Sequence, residues 1–179
     1  MAKSDDAAVQ HAIFDFIRQN IVGVSSTERA SSIDDRLGTD YWATLNSGKR
    51  LSLDVKIRDE DYTLKDPPQD DLALELWSVI GKKTGWTRDS GKQTDFILWY
   101  WKDSGRICML SFPILCSVFQ EKAAEWTEEF SDGVRTQTTV NAGQDSYQSQ
   151  CIFVPRKIVL QAMLTKFGGK PAAKQAQAC

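Results

Sequence analysis

Histidine is nearly absent from this sequence: His11 is the only one among 179 residues. A Ser-His-Asp or Cys-His site would have to use it, and it sits in a predicted amphipathic helix, away from any nucleophile motif. The four cysteines, Cys108, Cys116, Cys151 and Cys179, form no CxxC pair. A zinc site is therefore not expected, and free thiols in a reducing compartment are. No GxxxxGK[ST] phosphate-binding loop occurs; the Gly-Gly-Lys at 168–170 has no strand before it. No apolar run approaches the roughly 20 residues of a membrane helix. The opening Met-Ala-Lys-Ser-Asp-Asp has no apolar stretch behind a basic start and does not read as a signal peptide. These absences point to a cytoplasmic protein with no membrane partner. An excess of positive charge is missing too. The formal net charge of −2 argues against a protein that coats nucleic acid. An enzyme with a local basic groove is compatible with it, because carboxylates at a metal site lower the total.

What is present is ordinary globular composition, 41% hydrophobic and 26% charged, in a length that can bury a core. A single domain over residues 1–167 is expected, with a flexible tail of Gly, Lys, Ala and Gln at 168–179. Val9, Ile13, Phe16, Ile17 and Ile21 recur at helical spacing and predict a first helix over 6–21. A second, short helix is read over 26–33, carrying Glu28. Residues 39–45 and 49–58 alternate around Asn46-Ser47-Gly48 and predict a β-hairpin. Further strands are read at 72–78, 94–101, 106–112 and 149–154, with loops at 59–70, 81–93 and 131–147. The strand at 94–101 is apolar on both sides, as a central strand covered on both faces would be. Helices are predicted over 113–130 and 155–167, each opened by a proline. The class is α/β, with helices on both faces of a mostly antiparallel sheet.

The hairpin carries the chemistry. If its turn centres on Ser47, opposed residues sum to 94 and Asp40 faces Asp54. Lys56, two residues further on, shares that face. Two adjacent carboxylates repel each other, and a hard divalent cation such as Mg²⁺ relieves the repulsion. Asp40, Asp54 and the carbonyl of Val55 would supply oxygens. Lys56 would orient or help deprotonate a water and screen charge on a phosphate. The plain alternative is a hairpin face whose Asp54 and Lys56 are merely solvated.

Gly38-Thr39-Asp40, the hairpin, and Asp54-Val55-Lys56 together resemble the signature of the PD-(D/E)xK, or restriction-endonuclease-like, nucleases. The resemblance covers roughly residues 8–115. It implies a three-layer α/β/α fold around a mixed, mostly antiparallel central sheet. It also implies cleavage of nucleic acid, usually DNA, dependent on Mg²⁺ or Mn²⁺. Carried over to this chain, Asp40 and Asp54 are metal ligands and Lys56 is the catalytic lysine. Glu28 is a supporting acid and Glu75 a further catalytic group. Thr39 stands where the family name has proline, and the second acid is Asp rather than the commoner Glu.

The segment 82–88 adds Lys82, Lys83, Trp86 and Arg88, which suit phosphate contact and base stacking; its plain alternative is a solvated loop with Trp86 folded inward. Against the nuclease stands a catalytically inactive protein of the same fold that binds nucleic acid or another protein, such as one from a phage or mobile element. Whether two copies dimerise to cut both strands is left open.

Overall fold

The computed structural model describes residues 6–140 and 146–168. In chain order its elements are α1 (Ala7–Asn20), β1 (Val24–Arg29), α2 (Ser32–Arg36), β2 (Tyr41–Leu45), β3 (Arg50–Arg58), β4 (Asp71–Val79) and β5 (Lys83–Thr84). They continue with β6 (Phe96–Trp101), β7 (Ile107–Ser111), α3 (Phe112–Glu129), β8 (Val134–Val140), β9 (Ser146–Pro155) and α4 (Arg156–Lys166). The protein is thus mixed α/β, with two sheets and four α-helices among the described residues. The expected tail falls almost wholly outside them.

Where the sequence suggests one domain, the chain divides into two compact units. The first comprises residues 1–69 and 90–113, the second residues 70–89 and 114–179.

The first unit is built on a five-stranded sheet of order β1-β2-β3-β6-β7. All its pairings are antiparallel except that of β3 with β6, which is parallel. The link between those two strands passes through the other unit. Helix α1 starts where the Asp6 side chain accepts the Ala8 N–H at 2.9 Å. Its Val9, Ile13 and Ile17 pack on Tyr41, Ala43, Leu51, Leu53, Val55, Leu98 and Tyr100. Burying each such side chain is worth about 1.5–3 kcal/mol. Because side chains alternate along a strand, Ser52, Asp54 and Lys56 point to the opposite face. Strand β6 is buried from Ile97 to Trp101, as its apolar run predicts.

A loop on this unit is held by a second ionic cluster. Asp61 is fully buried, and its carboxylate takes the Arg106 guanidinium as a fork, Nε to Oδ2 at 2.7 Å and Nη2 to Oδ1 at 2.8 Å. Ser104 Oγ and Thr63 Oγ1 donate to it, each at 2.7 Å. The Arg106 guanidinium lies 3.8 Å from the centroid of the Trp101 ring. Hydrogen bonds from Arg106, and then from Ser104 and Thr63, hold the Asp61 carboxyl well below the usual carboxylate range against the opposing effect of burial.

The second unit has a four-stranded antiparallel sheet of order β5-β4-β9-β8. Leu72, Leu74, Leu76, Ile152 and Val154 of this sheet are buried, as are Phe119 and Trp126 of α3 and Val159 and Met163 of α4.

The structure corrects four local expectations. Residues 26–29, read as the start of a helix, belong to β1, which puts Glu28 opposite Trp42. Residues 134–140, read as loop, form β8. The strand read at 72–78 exists as β4 but belongs to a second sheet. Within the region read as loop at 81–93, β5 pairs with β4. Cys108, Cys116 and Cys151 are free thiols, as expected; Cys179 lies outside the described residues.

Candidate active site

The hairpin register is the one the turn implies. Tyr41 pairs with Leu53, Trp42 with Ser52 and Ala43 with Leu51, so opposed residues sum to 94. Asp40 lies just before β2, held from three directions. Its N–H donates to the Leu53 carbonyl at 2.8 Å, and its carbonyl accepts from Ala30 N–H at 2.9 Å. Its Oδ2 accepts the Val55 N–H at 2.6 Å. The side chain thereby bridges to β3 beside Asp54. A small cavity adjoins it, lined by Arg29, Ala30, Asp35, Asp40 and Tyr41.

Asp54 is buried at 3% exposure, and two lysines divide its oxygens. Lys56 Nζ donates to Oδ1 at 2.8 Å, and Lys92 Nζ donates to Oδ2. Lys92 precedes β6 and is almost as buried as Asp54. Its position follows from the segment behind it. Ser52 N–H donates to Asp95 Oδ2 at 2.8 Å, Ser52 Oγ donates to the Gln93 carbonyl at 2.9 Å, and Thr94 Oγ1 donates to the Gly38 carbonyl at 2.7 Å. The Lys92 methylenes run where a Cβ on residue 38 would stand, and Gly38 has φ +93°. Glycine is required there on both counts.

The two carboxylates differ in their electrostatics. Burial, and then the Asp54 charge, raise the Asp40 carboxyl to about 7. Burial also pushes Asp54 upward, but Lys56 and Lys92 overcome it and hold Asp54 below the usual value. A buried acid whose folded pKa exceeds its unfolded value of about 3.9 binds a proton that the unfolded chain has lost. Asp40 therefore costs stability progressively as pH rises from about 4 to about 7. Asp40→Asn keeps an oxygen for the Val55 N–H and removes the charge. In urea unfolding it should be more stable than wild type by about 1–2 kcal/mol at pH 8, with the advantage shrinking toward pH 5. An equal or larger advantage at pH 5 would contradict this electrostatic reading.

The structure thus brings Asp40, Asp54, Val55 and Lys56 together and adds Lys92. It does not bring Glu28 to them as a ligand: Arg50 engages Glu28 and stacks 4.3 Å over the Trp42 ring. Glu75 belongs to the second unit. Its Oε2 accepts the Trp86 N–H at 2.8 Å and the Ser78 hydroxyl at 2.7 Å. Thr87 Oγ1 in turn accepts the Glu75 N–H at 2.8 Å, so the segment 85–88 is fastened to β4. Lys82 and Lys83 are exposed, Trp86 is half-buried, and Arg88 lies 5.7 Å from the Trp77 ring centroid. These four candidates for nucleic-acid contact therefore lie with Glu75, on the unit that lacks Asp40 and Asp54.

No group of three or more His, Cys, Asp or Glu side chains placed to hold a metal occurs among the described residues. Mg²⁺ is usually held by one or two carboxylates and keeps several waters, and Asp40 with Asp54 meets that lower requirement. Asp40 and Asp54 would be the two carboxylates for such an ion, which would have to take an Asp54 oxygen now held by a lysine. No helix among the described residues is long and apolar enough to cross a membrane. Comparison with protein-family models, curated proteins and solved structures found no match for this chain.

Proposed function

We propose that the protein is a metal-dependent endonuclease of the restriction-endonuclease-like, PD-(D/E)xK type that hydrolyses phosphodiester bonds of nucleic acid, DNA in the first place. The observation that carries this reading is the convergence of Asp40, Asp54 and Lys56 at one end of the β2–β3 hairpin. The first sheet supports it: after α1 come three strands paired antiparallel, β1, β2 and β3, and β6 then lies parallel to β3, with β4 and β5 of the other sheet between them in the chain. The three-layer α/β/α arrangement belongs to the same proposal.

Asp40 and Asp54, with the Val55 carbonyl, would hold Mg²⁺ or Mn²⁺. When bound, such an ion lowers the pKa of a water and stabilises charge on a phosphate. The chain supplies the rest. Lys56 is the more open of the two lysines, with a quarter of its side chain exposed. Its ammonium orients the attacking water and stabilises negative charge on the phosphate oxygens. The Val55 N–H fixes one Asp40 oxygen and so aims the other. On the second unit, Lys82, Lys83 and Arg88 suit contact with phosphates and Trp86 suits base stacking. Incubation of supercoiled plasmid and single-stranded DNA with Mg²⁺ tests the reading, with Lys56→Ala as comparison. Cleavage by wild type and loss in a folded Lys56→Ala support it.

One observation favours a second reading, a nuclease-fold module that binds without turnover. Both Asp54 oxygens are taken by lysines, an arrangement that is internally neutralised without a metal. Binding of DNA by a wild type that never cuts it would favour that module.

A further inference from the structure

The sequence motif contains one lysine and the site contains two. Lys92 is the unanticipated one, and its environment is built. Its stem passes over Gly38, a position where a side chain would collide with it. Its ammonium lies 5.6 Å from the Phe112 ring centroid and donates to the oxygen of Asp54 that Lys56 does not use. The segment carrying it is fixed to β3 through Ser52 and to the Gly38 loop through Thr94. This is a lysine placed by tertiary structure rather than a surface chain that has found a carboxylate.

Such a lysine has a consequence for cation binding. Asp54 cannot be buried as a bare charge, because desolvation of an unpaired carboxylate is expensive. In the metal-free protein Lys92 meets that need from the interior and Lys56 from the more open side. A divalent ion at Asp54 would need the oxygen that Lys92 holds, and would then stand beside a second cation in a poorly solvated place.

We propose that Lys92 is the resident counter-cation of Asp54, a positioning residue that occupies the inner carboxylate oxygen until a divalent cation displaces it. The inference rests on the metal-site reading above. Lys92 thereby keeps the metal-free site folded and sets how tightly the ion is held. It weakens binding of the ion while stabilising the empty site.

The test is calorimetric titration of Mn²⁺ and Mg²⁺ into wild type, Lys92→Met and Lys92→Arg, with thermal unfolding of each in chelator and in Mg²⁺. Methionine keeps the stem and deletes the charge. Lys92→Met should bind the ion at least about tenfold more tightly than wild type. Its unfolding midpoint should be lower in chelator and should rise more than that of wild type on adding Mg²⁺. Lys92→Arg, which keeps a cation on Asp54, should show no gain in affinity. If Lys92→Met folds only with the ion present, the expected dependence is met in its extreme form. If wild type binds the ion and Lys92→Met binds it no more tightly, the inference falls while the metal site stands. If no protein binds any ion, both fall.

Discussion

Asp54→Asn should reduce DNA cleavage by about 10³-fold or more while leaving the fold intact. The magnitude follows from what the residue does. It faces both lysines and lies beside Asp40, so its charge is common to every interaction in the site. Removing the charge weakens the cation site and the hold on both Lys56 and Lys92. Losing several kcal/mol of transition-state stabilisation corresponds to a rate loss of that order. Asparagine is the informative substitution, because it retains the shape and can still accept from Lys56. Both substitutions take the carboxylate from buried Lys92, but alanine also removes the hydrogen-bond acceptor and leaves a cavity, which would confuse lost chemistry with lost stability. Far-UV circular dichroism and a thermal midpoint in chelator would establish that the variant is folded. A folded Asp54→Asn that cuts at a rate within tenfold of wild type would remove Asp54 from the reaction.

The second large effect is on stability, at the Asp61 cluster. Asp61→Ala should destabilise the protein by about 3–5 kcal/mol, as breaking a buried, hydrogen-bonded ion pair does. It removes the acceptor for Arg106, Ser104 and Thr63 at once. Arg106→Ala should cost a comparable amount, because it leaves the Asp61 carboxylate buried without its cation. The pH dependence has a definite sign. The folded pKa lies below the unfolded value, so the stabilisation is fully present above about pH 4 and is lost as pH falls further. Urea unfolding at pH 7 and pH 3 should therefore show the gap between wild type and Asp61→Asn narrowing in acid. A gap that stays constant would mean that the cluster acts through packing alone. The stability effect of Asp40→Asn has the opposite sign, so the two carboxyls can be separated by pH.

Much of the first unit was legible because its signals are local. The turn at Asn46-Ser47-Gly48 sets the register, and the register alone brings Asp40 to Asp54. The alternation in β3 assigns Leu51, Leu53 and Val55 to the helix-covered face and Asp54 to the other. Two of the missed strands share a physical cause. Strands β1 and β8 each form an edge, and most of their side chains are exposed. Without a buried face there is no period of two to read, so the segment around Ser26-Thr27-Glu28 reads as a short helix and Thr-Gln-Thr-Thr as loop. The alternation in β4 disclosed a strand but not its sheet, since one strand's pattern does not name its neighbour.

Lys92 was invisible for a different reason. It reaches Asp54 across 38 positions, from a polar stretch with no periodicity. The one hint was Gly38, whose need for glycine comes partly from the lysine that covers it. Glu75 was expected at the chemistry as a supporting acid on the strand that follows the motif hairpin. Its carboxylate instead ties the basic segment to β4 by accepting the Trp86 N–H.

The most direct measurement is a time course of wild type on supercoiled plasmid and on single-stranded DNA, with Mg²⁺, with Mn²⁺ and with chelator. Cleavage should require the cation, stop in chelator and be lost in folded Asp54→Asn and Lys56→Ala. No cleavage under any condition, together with no heat of cation binding that depends on Asp54, would contradict it.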